Sequence, residues 1–239
     1  LTPSREKASK EISPAMIFYS RYYIQEMLLV CFPLLFLGSP WRYFRRPHWG
    51  GAGGGGAGMG LMYATKETFV LEVIAIGIAL GLSFAWDRWV LRQPSGWAQW
   101  LARWNWKHLA IGLGVGLAIS ELLFTSFLTN AQGPLDSIRT YFPWGHRAQG
   151  HSPHIHPWYF YLERLAFFRI ERGPIWSEGL ILVLAGVGCY AGFRRSETGC
   201  FCPGLVRFIG FYTAGITAAY SVISYKTPWC LLGFLHGMI

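Results

Sequence analysis

Three histidines, two prolines and four aromatic residues follow one another in residues 151–162, which read HSPHIHPWYFYL. The prolines interrupt a helix, whereas imidazole and aromatic rings contact polar or ring-shaped ligands. Apolar stretches lie on both sides of this histidine segment. We therefore interpret it as a functional loop held over a bundle of membrane helices.

Ionisable residues also occur within or at the ends of the apolar stretches, where a membrane makes them costly unless they face a site or water. They are Arg21, Glu26, Lys66, Glu67, Glu72, Glu121 and Lys226. The topology predicted below puts all of them near one membrane surface, so we expect them to surround a single pocket. Arg21, Lys66 and Lys226 would hold an anionic group such as a lipid phosphate, arginine by bidentate hydrogen bonds and lysine as a point charge.

The rings of His156, Trp158 and Tyr159 would cover this pocket. Together with the carboxylate of Glu67, they would orient a sugar or an acceptor by stacking and hydrogen bonding. In this interpretation the histidine segment selects the ligand, and the cations on other segments bind its charge.

Each cation also has a purely structural interpretation. Arg21 could pair with Glu26 so that both charges are neutralised. Lys66 and Glu67 could reach toward water from a helix end, and Lys226 could be an interfacial anchor beside Pro228.

The histidines leave a metal site open as an alternative. His151, His154 and His156 could bind zinc, because imidazole is a common zinc ligand. Proline-rich spacing and the lack of an adjacent cysteine argue against it, and the five cysteines form no zinc-finger or disulfide pattern. We expect no certain cofactor and keep a divalent metal as an alternative.

The composition defines the broad class of protein. The 239 residues are 52% hydrophobic and 17% aromatic, only 14% are charged, and the mean hydropathy is +0.28. These values are typical of an integral membrane protein. The formal charge of +9 sits in small clusters between apolar runs, which indicates lipid headgroups as the partner and not nucleic acid.

The apolar runs predict an all-α polytopic membrane protein with about seven transmembrane helices. The expected spans are residues 15–37, 50–64, 69–86, 108–129, 174–193 and 205–223, and a last one that begins after Trp229. Residues 50–64 are rich in glycine and could be a flexible linker or a span that allows close helix approach. We favour the span, because the topology closes only if the chain crosses there.

Loop lengths assign the two sides of the membrane. The loops 38–49, 87–107 and 194–207 are short and carry arginines, so the positive-inside rule places them in the cytoplasm. Residues 130–173 then form an extracytoplasmic loop containing short helices.

Four segments of the chain resemble motifs of a known family, and they occur in the family's order. They are SPAMIFYSRYYIQEMLLV, GLMYATKETFV, HPWYFYLERL and SYKTPWCLL. They look like the C-fold membrane glycosyltransferases of family 39, which are related to protein O-mannosyltransferases, and specifically the flippase-activity-associated group. The resemblance covers most of residues 1–239, so we expect one transmembrane glycosyltransferase-like domain.

The resemblance implies transfer of a sugar from a polyprenyl-phosphate donor to a protein or glycan acceptor, outside the plasma membrane of a prokaryote. It also implies that Tyr225 and Lys226 lie near the lipid phosphate. Such enzymes carry their catalytic acid in a first outer loop, and this chain begins downstream of it. We therefore expect a fragment that is truncated at both ends, with an unknown catalytic base and with Glu26 as a supporting residue.

Two other functions fit the same residues. A lipid-carrier transporter or flippase-associated protein would need the same cations at membrane depth without making a bond. A metal-dependent membrane hydrolase would instead use the three histidines.

Overall fold

A computed structural model describes residues 13–22, 24–92, 104–143, 154–169, 171–173, 175–194 and 203–239, which are mostly helical. The α-helices are α1 (Pro14–Ser20), α2 (Glu26–Arg45), α3 (Trp49–Thr65), α4 (Phe69–Trp89), α5 (Trp106–Phe124), α6 (Gly133–Arg139), α7 (Phe160–Ala166), α8 (Gly179–Arg194), α9 (Pro203–Val222) and α10 (Leu231–Met238). A 3-10 turn, Pro228–Cys230, leads into α10. Strands β1 (Phe168–Arg169) and β2 (Ile175–Trp176) pair antiparallel, with Phe168 opposite Trp176.

Three helices of the described part are long and apolar enough to cross a membrane: α4, α5 and α9. Helix α8 is also apolar but has only 16 residues, fewer than the roughly 20 that a bilayer requires. The structure therefore has the helical, membrane-type character that the sequence predicts. The number of seven crossings stays a prediction.

The chain divides into two compact units. The first contains residues 1–27, 74–83 and 148–239, and the second contains residues 28–73 and 84–147. Each unit is described by itself below.

The expected first span, residues 15–37, is not one helix. Helix α1 ends at Ser20, where the backbone N–H groups of Arg21 and Tyr22 donate to carbonyls three residues earlier. Helix α2 then begins at Glu26, whose side chain is only 6% exposed. A carboxylate is favourable in the first helical turn because of the helix dipole. The polar residues that interrupt the apolar run therefore lie where α1 ends and α2 begins.

The glycine-rich segment forms helix α3 in the second unit, which contradicts the linker alternative. Helix α3 runs beside α5 in parallel register, with Gly56 against Gly112 and Gly60 against Gly116. A Cβ atom on Gly56 would lie 1.8 Å from the Gly112 carbonyl oxygen, and one on Gly60 would lie 2.5 Å from the Gly116 oxygen. This glycine interface brings two backbones into direct contact, as small-residue motifs do in membrane helices.

The core of the first unit contains α7, α9 and α10. Tyr161 of α7 is 1% exposed, and its ring lies edge-on to Phe234 of α10 at 5.5 Å and to Tyr220 of α9 at 6.3 Å. Ile216 of α9 and Leu232 of α10 are fully buried. These apolar and aromatic contacts position the loop that carries the histidines.

Candidate functional site

A short antiparallel bridge joins the histidine segment to the chain just after α9. The N–H of Lys226 donates to the carbonyl of His154 at 2.8 Å, and the N–H of His156 donates to the carbonyl of Ser224 at 3.1 Å. Ile155 pairs with Tyr225 in this bridge, and the rings of His154 and Tyr225 meet edge-on at 5.4 Å. Two predicted regions of the site, far apart in sequence, therefore lie side by side.

Lys226 is a buried cation at this bridge. Its side chain is 1% exposed, and its amine donates a hydrogen bond to the carbonyl of Ile223. Among the described residues, no carboxylate pairs with it. Burial lowers the pKa of Lys226, because a low dielectric disfavours the charged form. An anion bound here would compensate this cost.

A second cation, Arg164 of α7, contacts two aromatic rings. Its guanidinium carbon lies 4.4 Å from the Phe160 ring centroid and 4.0 Å from that of Phe168. Spacing of four residues puts Phe160 and Arg164 on one helix face. The Nε atom of Arg164 is buried and has no hydrogen-bond partner in the described part of the chain. Arg164 is therefore positioned by aromatic contacts and keeps donors for a ligand.

His156 contacts the same ring as Arg164 and belongs to the same bridge as Lys226. Its ring stacks on Phe160, with centroids 4.1 Å apart and planes at 15°. The pKa of His156 is lowered, mainly by burial and further by the positive charges of Arg164, His154 and Lys226. We name His156, Arg164 and Lys226 the cation cluster, after its two permanent charges. With a lowered pKa, the imidazole of His156 is neutral at pH 7 and can donate or accept a hydrogen bond.

Other predicted residues of the first unit lie at different exposures. Trp158 is 65% exposed and Tyr159 is 47% exposed, and their rings contact each other at 5.8 Å. Arg21 is exposed, whereas Glu26 is buried. No ion pair joins Arg21 to Glu26 in the part of the chain that the structure describes, so the pairing considered from sequence is absent there.

Lys66 and Glu67 belong to the second unit, at the end of α3. The N–H of Lys66 closes the helix on the carbonyl of Met62 at 3.5 Å, and the Tyr141 hydroxyl donates to the carbonyl of Glu67 at 3.4 Å. Burial raises the pKa of Tyr141 to about 12, so this hydroxyl remains a donor at neutral pH. Near the same end of α3, the hydroxyl of Tyr63 is hydrogen-bonded to the hydroxyl of Ser137 in α6 at 2.8 Å.

Two polar residues of the first unit were not predicted. Arg164 lies within the motif HPWYFYLERL, and its four-residue spacing from Phe160 is the sequence signal for a contact between the two side chains. Glu178 is 5% exposed and accepts hydrogen bonds from the Ser13 hydroxyl at 3.1 Å and the Ala15 N–H at 2.7 Å. Its 163-residue separation from Ala15 left no sequence signal.

The metal alternative receives no support from the described residues, which contain no group of three or more histidine, cysteine or acidic side chains able to hold a metal ion. His154 and His156 are among them, but His151 lies outside the described residues. The two described histidines instead contact Tyr225 and Phe160 through their rings.

Comparison of the chain with models of protein families, with characterised proteins and with solved structures found no match. The family resemblance of the sequence motifs therefore stays a prediction. What the structure places together is the histidine segment and the chain around Lys226, joined by a hydrogen-bonded bridge, with His156 and Arg164 both against the ring of Phe160.

Proposed function

We propose that the chain is part of a multi-pass glycosyltransferase of a prokaryotic plasma membrane, which moves a sugar from a polyprenyl-phosphate donor to a protein or glycan acceptor on the extracytoplasmic side. The observation that carries this proposal is Lys226, a buried amine without a carboxylate partner among the described residues. An anionic phosphate is a ligand that such a cation fits, and Arg164 is the second cation of the cluster.

The cations would act on the leaving group. The acceptor hydroxyl gives its proton to a carboxylate base, its oxygen bonds to the anomeric carbon, and the bond from that carbon to the phosphate oxygen breaks. The polyprenyl phosphate leaves as an anion. Lys226 and Arg164 would stabilise the charge that develops on it, and such electrostatic stabilisation is usually the largest contribution to catalysis.

The aromatic and histidine side chains would bind the sugar. His156 is neutral and stacked on Phe160, so it can bond a sugar hydroxyl without competing for the phosphate. The exposed rings of Trp158 and Tyr159 offer apolar faces to a sugar or an acceptor. Tyr225 lies next to His154 at the bridge and would contact the donor from the other side of the loop.

Replacing Lys226 by Met tests the phosphate assignment. We expect transfer from a polyprenyl-phosphate sugar in proteoliposomes to fall about 100- to 1,000-fold, as when one preorganised donor to a developing charge is removed. Arg172→Gln is the matched control, because Arg172 is an exposed cation of the same unit. Unchanged turnover in Lys226→Met, or an equal loss in the control, would contradict the assignment.

A non-catalytic lipid carrier is the second candidate, because the buried amine of Lys226 would serve a carrier without any base. A carrier would bind polyprenyl phosphate through Lys226 and Arg164 without forming a product. Binding that depends on Lys226, together with no transfer by the wild type, would decide for the carrier.

A further inference from the structure

A basic cleft lies in the second unit where α2 ends and α3 begins. It has a volume of about 620 Å³ and is lined by Ser39, Arg42, Tyr43, Arg45, Arg46 and His48 and by the first glycines of α3. We name it the arginine cleft. None of the lining residues is acidic, and in the described part of the chain no carboxylate pairs with its three arginines.

The side chains of the cleft leave several donors for an anion. The guanidinium of Arg45 lies 5.4 Å from the Trp41 ring centroid, a contact that directs the arginine without using its N–H groups. His48 accepts the N–H of Gly50 at 3.0 Å through Nδ1, so the proton of the neutral ring is on Nε2 and available to a ligand. The cleft is therefore built from cations and donors.

An apolar groove adjoins this cleft within the same unit. Its volume is about 480 Å³, and it lies between α2, α3 and α5, with walls that include Phe36, Met59, Leu113 and Leu117. Tyr43 lines both the groove and the arginine cleft. Both volumes are in the range of about 300–1,000 Å³ that is usual for ligand sites.

Tyr43 is a fixed wall between the two spaces. It is 5% exposed, its hydroxyl is bonded to Nδ1 of His108 at 3.0 Å, and it accepts the N–H of Asn105 at 3.3 Å. These bonds tie the end of α2 to the start of α5. Because α3 and α5 are parallel, the starts of both helices lie at this end of the unit.

Exposed tryptophans mark this end as the level of the membrane interface. Trp41, Trp49 and Trp106 stand at the end of α2 and the starts of α3 and α5, and are 41%, 60% and 83% exposed. Tryptophan is enriched where headgroups meet the hydrocarbon core. The cleft then faces headgroups, and the groove runs along the apolar helix α5.

We propose that this junction binds one anionic lipid, with its phosphate in the arginine cleft and an acyl chain in the groove. Charge complementarity selects the headgroup, and the polar and apolar spaces lie side by side along Tyr43, so that the headgroup and a chain of one amphiphilic molecule reach both. The site is at the opposite end of α3 from Lys66 and is independent of the glycosyl transfer proposed above.

Lipid binding to the delipidated protein in neutral detergent, followed by native mass spectrometry, tests the proposal. We expect phosphatidylglycerol to bind at least tenfold more tightly than phosphatidylcholine, since each arginine near the charge contributes to the attraction. The triple variant Arg42→Gln, Arg45→Gln, Arg46→Gln should lose this preference. The matched control Arg88→Gln, Arg92→Gln, Arg194→Gln removes three exposed arginines outside the cleft and should keep it.

A second variant tests the groove. Leu113 is 61% exposed at the groove rim, so Leu113→Trp narrows the groove without disturbing a packed core. This variant should lower the binding affinity for both lipids by a similar factor and keep the preference for phosphatidylglycerol.

Inorganic phosphate, added at the concentration of the lipid, distinguishes the two sources of the anion. Bound phosphatidylglycerol should remain in place, because phosphate fills only the cleft. Displacement by phosphate, equal affinity of the wild type for the two lipids, or loss of the preference in the control would overturn the proposal.

Discussion

Different kinds of contact stand out inside each of the two units. In the second unit, α3 and α5 touch through glycines, so that over these turns the contact is between backbones. In the first unit, segments that are distant in sequence are joined by polar links: the bridge between residues 154–156 and 224–226, and the bonds of Glu178 to Ser13 and Ala15. We call these the glycine interface and the polar links.

The difference explains where chemistry is possible. A backbone contact tolerates no added atom and presents no functional group, so the glycine interface can only set helix positions. The polar links of the first unit hold Lys226, and ring contacts hold Arg164, while some donors of both side chains stay unused among the described residues. Mutations should therefore affect the glycine interface through added volume and the polar links through lost partners.

The largest effect is expected from Gly56→Ala. Its Cβ would lie 1.8 Å from the Gly112 carbonyl oxygen, and the neighbour is backbone, so α3 and α5 must separate. Overpacking of this kind costs about 3 kcal/mol or more. The measurement is the thermal unfolding midpoint of the purified chain in detergent, which should fall strongly.

Gly114→Ala is the matched control on α5, because its Cβ would meet nothing within 4 Å. Alanine is a better helix former than glycine by about 1 kcal/mol, so this variant should be as stable as the wild type or more stable. If Gly56→Ala and Gly114→Ala unfolded at the same temperature, the tight backbone contact would be refuted.

A smaller loss is expected from Glu178→Ala in the polar links. The Ser13 hydroxyl, which is fully buried, and the Ala15 N–H would both lose their acceptor. Leaving buried donors unsatisfied costs about 1–3 kcal/mol. Glu178→Gln keeps an oxygen acceptor and should lose less than half as much, whereas equal losses by the two variants would show that hydrogen bonding is not the role of Glu178.

The sequence predicted the helical membrane character correctly, and it predicted a helix within residues 50–64. Glycine disfavours a helix by about 1 kcal/mol per residue, so local preference alone indicates a linker. The helix forms because Gly56 and Gly60 match Gly112 and Gly116 in α5, and that complementarity is a tertiary property. Hydropathy averaged over residues 15–37 did not reveal the break between α1 and α2 near Arg21, because the few polar residues that cause it lie within a long apolar run.

The structure joins two of the segments in which the sequence predicts site residues, and the roles of these residues stay predictions. The pairing of the histidine segment with Tyr225 and Lys226 joins two segments that sequence reasoning had singled out separately. Arg164 was missed because an arginine on a short amphipathic helix usually faces water, and only the ring contacts with Phe160 and Phe168 distinguish it. Lys66 and Glu67 belong to the other unit, and their part in the site stays a prediction.

The smallest effect is expected in the pH dependence of the unfolding midpoint, through His156 in the bridge of the first unit. Burial and the nearby cations hold its pKa below the ordinary value of 6.5. As the pH falls from 7 to 5, the unfolded chain therefore takes up a proton on this imidazole before the folded chain does, and stability declines.

His156→Phe keeps a ring against Phe160 but cannot titrate, so its unfolding midpoint should fall less between pH 7 and pH 5 than that of the wild type. Other titrating groups are common to both proteins and cancel in the difference. Identical pH profiles of the two proteins would mean that neither burial nor the cations lower the pKa of His156 in the folded chain, and the cation cluster would lose its central member.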